Sequence, residues 1–353
     1  ERSLPIPGPL RNVSIAGAAR LTGTSVAISD LRLSVDGNAY EGAMVFDADR
    51  PRPMLSGTLA AENLDTSPFT TDAPRLIEAD GDWGRVRFPQ FAFTPLDVDL
   101  RLSATRTRLG RAQLRDAAFS LRSEPGQVAV SLEQARAWNG TLKAQVALQT
   151  IASGYAMRAT TQLTRVDAAA MLAEMFRTPR LSGEMNGEIA LTSEGDTLGR
   201  VLRGLSGHAR LNVRNGDVSG LDLEQALRRL EKRPLTVASE VRSGRTGFNG
   251  VDLDLKVEKG NAIVQKLQAR GAGVEFEVKG AIDVPERGLD LTLEARQATT
   301  TAEAGASGPW LSMYIRGLWN EPELTLDARS LISRSQAAEP LLRGLAPPAA
   351  AKP

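Results

Sequence analysis

Strict alternation of apolar and charged residues constrains this chain more than any other feature. Val98, Leu100 and Leu102 alternate with Asp97, Asp99, Arg101 and Ser103. Val251, Leu253, Leu255 and Val257 alternate with Asp252, Asp254, Lys256 and Glu258. Val274, Phe276 and Val278 are interleaved with Glu275, Glu277 and Lys279, and Leu289, Leu291 and Leu293 with Asp290, Thr292 and Glu294. A period of two sends the apolar side chains to one face of a strand and the charges to the other. Fainter alternation occurs at residues 31–35, 128–132, 185–191 and 324–326. The pattern predicts one-sided antiparallel sheet.

Turn residues punctuate these runs. Asp36-Gly37-Asn38, Asn139-Gly140, Asn215-Gly216, Lys259-Gly260-Asn261 and Arg287-Gly288 lie between strand-like segments, and such pairs supply the positive φ of tight hairpins. Asn139-Gly140-Thr141 therefore reads as a turn rather than a glycosylation acceptor. The expected fold is mainly β: an antiparallel, curled (taco-like) sheet meander with a small α-helical insertion at about residues 167–233. Three helices are expected, at 167–177 capped by Asp167, at 197–205, and at 222–232 capped by Asp222 with Gln225 at the capping-box position. A strand ending in an aliphatic residue and Asp recurs at Leu64-Asp65 and Val166-Asp167, which suggests stacked hairpin units of irregular period.

Three short helices cannot cover so many one-sided strands. Leaving dozens of aliphatic side chains wet is untenable at roughly 1.5–3 kcal/mol each. The remaining solutions are a second sheet, closure into a barrel, or a curled sheet whose apolar concavity holds a ligand. Periodicity alone does not choose between a dry sandwich and a ligand groove. The groove alternative makes candidates of Val98, Leu100, Leu102, Val251, Leu253, Leu255, Val274, Phe276, Val278, Leu289, Leu291 and Leu293.

Composition narrows the chemistry. The chain has no cysteine, which removes disulfides, thiolate catalysis and Cys-based zinc sites. Net charge is +1 and aromatics make up 5%, so neither the global field nor a stacking platform favours nucleic acid. No apolar run approaches the roughly 18 residues that span a bilayer. The sequence starts at Glu1 without a signal-like segment, so any membrane anchor is expected upstream of it.

Candidate catalytic groups are few. His208 is the only histidine, and a Ser-His-Asp triad or a multi-His metal site needs partners that this composition mostly does not provide. The carboxylate pairs Asp97/Asp99, Asp252/Asp254 and Glu275/Glu277 have the i, i+2 spacing of a solvated strand face, though a cation site or a glycosidase pair would share it. Gly271-Ala272-Gly273 lacks the strand–GxGxxG–helix setting of a nucleotide site. Residues 200–245 carry ten Lys/Arg against five Asp/Glu, which suits a solvated face and also anionic headgroups. Trp310 and Trp319 suit the cap of a core or a membrane interface.

Ordered fragments in the second half resemble a known family. Arg180-Leu181-Ser182-Gly183-Glu184-Met185-Asn186-Gly187 and Leu205-Ser206-Gly207-His208-Ala209-Arg210-Leu211 resemble paired strand openings of the AsmA family. Asn215-Gly216-Asp217-Val218-Ser219-Gly220-Leu221-Asp222-Leu223 resembles its stretch leading into a helix. Thr246-Gly247-Phe248, Gly280-Ala281-Ile282-Asp283 and Ile315-Arg316-Gly317-Leu318-Trp319-Asn320-Glu321-Pro322 resemble its closing strands, with Val284-Pro285 departing from the pattern. The resemblance covers residues 93–330; residues 1–92 carry the same strand grammar and are expected to continue the sheet as an N-terminal β-repeat region, and the Ala/Pro-rich composition of 331–353 predicts a disordered tail. The resemblance implies a periplasmic protein tethered to the inner membrane by a segment outside this chain. The implied role is non-enzymatic and cofactor-free: lipid binding or transfer in outer-membrane lipid homeostasis. The implied partners are a phospholipid or other membrane lipid and envelope proteins. A dry, structural assembly factor and, more distantly, a carbohydrate-active enzyme are the alternatives.

Overall fold

The computed structural model describes residues 12–67, 96–176, 180–230, 244–271, 273–298 and 310–327. The protein is mainly β, a largely antiparallel meander with three short helices among the described residues. Two compact units divide the chain. Unit 1 comprises residues 1–177, 185–209 and 257–260, and unit 2 comprises residues 178–184, 210–256 and 261–353.

Unit 1 is built on β1 (Val13–Thr22), β2 (Ser25–Val35), β3 (Asn38–Asp47), β4 (Met54–Asp65), β5 (Asp97–Leu109), β6 (Ala112–Glu124), β7 (Gln127–Ala137), β8 (Gly140–Ile151) and β9 (Gly154–Asp167). Each strand pairs with the next, antiparallel except for β4 and β5, which run parallel from Met54↔Asp97 to Asp65↔Arg108. That pair departs from the hairpin connectivity expected of a pure up-and-down meander. The α1 helix (Ala168–Phe176) follows β9 directly, and β10 (Glu184–Gly195) and α2 (Leu198–Gly204) come after it.

Side chains from one sheet face bury one another. Leu31, Tyr40, Leu59, Ala61, Leu64 and Ala104 form a cluster, with Ile28, Leu33, Met44, Leu102 and Phe119 packed against it. All belong to β2–β6. Leu31 at 1% exposure cannot be covered by neighbours on a flat sheet, so the sheet of this unit curls about its apolar face. Bulges assist the bending. Register shifts fall at Ile28/Leu31 in β2, at Arg115/Ala118 in β6 and at Leu132/Ala135 in β7, and Asp30 and Asp116 adopt positive φ there.

Unit 2 holds most of β11 (Ser206–Ser219) and β12 (Arg245–Glu258). It also holds α3 (Leu223–Leu230), β13 (Asn261–Arg270), β14 (Val274–Asp283), β15 (Gly288–Gln297), β16 (Trp310–Leu318) and β17 (Glu321–Leu326). Strands β13 to β17 pair antiparallel in chain order.

The two expected caps, Asp167 and Asp222, hold, and Thr197 caps the helix between them. Asp167 accepts from the Ala170 amide at 3.1 Å, Thr197 from Arg200 at 3.3 Å, and Asp222 from Gln225 at 2.9 Å. Asp36 and Gly37, both at positive φ, make the β2–β3 turn, and Lys259 and Gly260 the β12–β13 turn. Two expectations shift. The β7–β8 turn is Trp138-Asn139, both at positive φ, and Gly140 already belongs to β8. Asn215-Gly216 is not a hairpin turn but lies inside β11, where Asn215 adopts a positive φ of 51°. A Cβ on Gly216 would sit 2.0 Å from the Ser182 carbonyl oxygen, so the glycine serves close approach of the 180–183 segment. The expected tail at 331–353 lies outside the described residues, as do parts of the basic 200–245 stretch and Ala272.

Candidate functional site

Register places the apolar side chains of unit 1 in continuous rows, because directly paired residues share a sheet face. One row runs Val26–Phe46–Leu55–Val98–Ser123–Val128–Leu148–Met157 across β2 to β9. The next runs Ile28–Met44–Gly57–Leu100–Leu121–Val130–Val146–Ala159. A third runs Leu31–Gly42–Leu59–Leu102–Phe119–Leu132–Ala144–Thr161.

Burial along this face is uneven. Leu31, Leu59 and Leu132 in the third row are buried, and so are Leu114, Ala135, Leu142, Leu163 and Val166 toward α1. In the first two rows Phe46, Val130 and Val146 are 36%, 46% and 42% exposed. The α1 helix marks the buried end. Its Glu174 carboxylate accepts the Gln113 amide at 2.6 Å and the Trp138 indole N–H at 2.8 Å, across the start of β6 and the β7–β8 turn. One end of the apolar face is therefore closed, and the other presents aliphatic and aromatic side chains to solvent.

Unit 2 repeats the arrangement. Phe276–Ala295–Leu311 and Val278–Leu293–Met313 are fully buried cross-strand rows. The adjoining rows, Leu291–Ile315–Leu324 and Ile282–Leu289, are only half-buried. The buried end is the one α3 occupies. Leu223, Ala226 and Leu227 of that helix are at most 1% exposed. Its first amide, Leu223 N–H, is accepted by the buried Thr246 hydroxyl at 3.0 Å, which in turn donates to the Leu221 carbonyl at 2.7 Å. Gly273, just before β14, admits the Glu224 side chain, which a Cβ there would meet at 2.6 Å.

All twelve residues singled out from the alternation lie on apolar strand faces, but not in one place. Val98, Leu100 and Leu102 belong to unit 1 and are half-buried. Val251, Leu253, Leu255, Val274, Phe276, Val278, Leu289, Leu291 and Leu293 belong to unit 2. Of these, Val274, Phe276, Val278 and Leu293 are buried near α3, Val251 is buried in β12, and Leu253, Leu255, Leu289 and Leu291 are half-buried. Sequence reasoning did not single out Phe46, Val130 and Val146, the open members of the first two rows.

The opposite faces are charged and locally paired. Asp97 meets Arg52 at 2.8 Å, Asp99 meets Arg122 at 3.9 Å, Asp252 meets Lys266 at 3.6 Å and Asp254 meets Arg210 at 3.8 Å. Glu275 meets Arg296 at 2.6 Å, and Glu277 meets Lys279 at 3.6 Å. Each carboxylate of the three i, i+2 pairs thus has a cation beside it on a solvated face. Glu294, followed by Glu277, holds the Lys279 ammonium above its usual pKa. Shallow depressions of about 690 and 810 Å³ on unit 1 open mostly on the polar face, lined by Arg101, Arg122, Glu133 and Gln145 in one and by Gln149, Arg158 and Thr192 in the other. Leu102 and Phe119 of the apolar face also line the first. His208 is half-buried on β11. Among the described residues no three His, Cys, Asp or Glu side chains gather as a metal site, and no helix is long and apolar enough to cross a membrane.

With this architecture the sequence matches the AsmA family model over residues 12–267. The chain belongs to the AsmA family. The match begins well upstream of residue 93, the expected start of the AsmA-like region, so the strands from β1 to β4 share the family pattern. The AsmA family protein YhjG of Escherichia coli (strain K12) is 21% identical over 330 residues, which cover 88% of this chain and 47% of that protein. The chain thus spans about half the length of that relative. No solved structure matches it. AsmA-family membership points to a role associated with the cell envelope.

Proposed function

We propose that this chain is a non-enzymatic lipid-binding or lipid-transfer module of the periplasm, serving outer-membrane lipid homeostasis and tethered to the inner membrane by a segment outside it. The observation that carries the reading is the gradient of burial along each apolar face. Helices α1 and α3 stand at the buried ends, while Phe46, Val130 and Val146 at the other end of unit 1 remain open to solvent. Exposed aliphatic rows of this extent cost free energy unless something apolar covers them, and acyl chains match a smooth lining of Leu, Val and Ala. The cation-paired carboxylates fit a solvated outer surface rather than an active site.

A photo-crosslinking residue at Val130 should capture phospholipid in cells, whereas one at Gln145, on the opposite face of the neighbouring strand, should not. Mass spectrometry of the purified protein should find co-purified lipid. Crosslinks from Val130 to protein alone would replace this reading with a dry assembly factor. Lipid adducts at both positions in equal yield would mean adventitious surface binding.

A further inference from the structure

One corner of unit 1 combines exposed apolar side chains with a cluster of exposed arginines. The β5–β6 hairpin turns through Gly110 (φ 59°), and Leu109 at its tip is 38% exposed. The Arg111 guanidinium reaches the Met175 carbonyl at 3.5 Å, which sets this tip beside the C-terminal end of α1. There Phe176 is 45% exposed. The helix itself, AAAMLAEMF, is apolar apart from Glu174, and Ala168 is its one buried residue, so Met171, Leu172 and Met175 stay partly accessible. Residues 108–115, RLGRAQLR, contain three arginines and no carboxylate. Among the described residues the acids nearby are Asp116, paired with Arg136, Glu62, paired with Arg106, Glu174, held by Gln113 and Trp138, and Asp65, which accepts from Ser67 and faces Arg108 across the β4–β5 pair.

We propose that this corner docks on an anionic phospholipid bilayer. Leu109 and Phe176 enter the boundary between headgroups and acyl chains, and Arg108 and Arg111 lie against the phosphates. Two apolar side chains inside a basic collar have the composition of an interfacial anchor, in which partial insertion and attraction to anionic lipid add. A protein partner of ordinary surface charge offers no such match to both features. The site lies at the α1 end, away from the open rows around Val130 and Val146, and its proposal stands apart from whether those rows carry lipid.

The test is co-sedimentation of the whole chain with vesicles of phosphatidylethanolamine and phosphatidylglycerol, and with vesicles of phosphatidylcholine alone. The wild-type chain should partition onto the anionic vesicles and be released by salt. Leu109→Ser with Phe176→Ser should lower partitioning on the order of tenfold or more. Arg108→Gln and Arg111→Gln should each lower it about fivefold. All four side chains are exposed, so circular dichroism and melting should match wild type. Equal binding to neutral vesicles, or variants that partition as wild type does, would overturn the proposal. Lipid capture at Val130 is read in the same proteins. Capture without vesicle binding defeats the docking site alone, and vesicle binding with only protein crosslinks at Val130 defeats the groove alone.

Discussion

The Glu174 carboxylate on α1 accepts the indole N–H of Trp138 at 2.8 Å, and through its other oxygen the Gln113 amide at 2.6 Å. One side chain therefore joins the helix to β6 and to the β7–β8 turn, where Trp138 is held at positive φ. Hydrogen bonds to an ionised acceptor outweigh neutral ones, and Glu174→Ala also leaves two donors to find new partners. The substitution should lower stability by about 1–3 kcal/mol. It should also accelerate amide exchange in Ala168–Phe176 more than in β13–β17. Glu174→Gln, which keeps one acceptor, should lose less. Unchanged exchange in α1 would show that packing alone holds the helix.

Thr246 has the matching role in unit 2. Its hydroxyl is buried, accepting from Leu223 N–H and donating to the Leu221 carbonyl. Thr246→Val keeps the shape and removes both bonds, at a cost of about 1–3 kcal/mol for the buried groups left unpaired. Thr246→Ser keeps the hydroxyl and should recover most of that loss. Urea melts of the two variants decide the point; equal losses would assign the effect to the methyl group instead.

Thr107 presents the opposite case. It is 4% exposed on β5, paired with Leu64 and Leu114, and its hydroxyl oxygen has no hydrogen-bond partner. Thr107→Val replaces that hydroxyl with a methyl of similar size. It should stabilise the protein by roughly 1 kcal/mol, because no bond is lost and a buried polar atom is removed. A destabilised variant would reveal a buried water or a ligand group on that oxygen.

Much of this architecture is legible in the alternation. The strict runs at Val251, Val274 and Leu289 fall inside β12, β14 and β15, and their charged partners form cross-strand ion pairs such as Glu275–Arg296. What the pattern does not carry is tertiary. The parallel pairing of β4 with β5 leaves no trace in either strand, since a period of two is the same in both orientations. Asn215-Gly216 has turn chemistry, yet the same positive φ occurs inside a long strand. Val146 escaped notice because its strand β8, GTLKAQVALQTI, dilutes its alternation with Ala, Gln and Thr, and Val130 of β7, inside the alternating 128–132 run, did not stand out because openness depends on what fails to cover a residue. Glu174 did leave a signal: a lone carboxylate in an otherwise apolar helix needs a partner.

The burial gradient in unit 2 separates stability from lipid capture along a single strand. Leu289 and Leu293 point to the same face of β15, two strand repeats apart. Leu293 lies in the row with Val278 and Met313 at 3% exposure, whereas Leu289, beside Ile282, is half-buried. Leu293→Ala opens a cavity and should cost about 2–5 kcal/mol, read as a shift of the denaturation midpoint. Leu289→Ala removes surface that is already partly wet, so its cost should be nearer 1 kcal/mol. Lipid should respond in the reverse order. Acyl chains lying on the open half of the face touch Leu289 and not Leu293, so Leu289→Glu should cut the co-purified lipid while the fold persists, because the carboxylate must be desolvated against the chains or protonated. The same glutamate in a dry core would unfold the unit. A Leu289→Glu protein that melts as wild type does and retains its full lipid load would remove this half of the face from the lipid path.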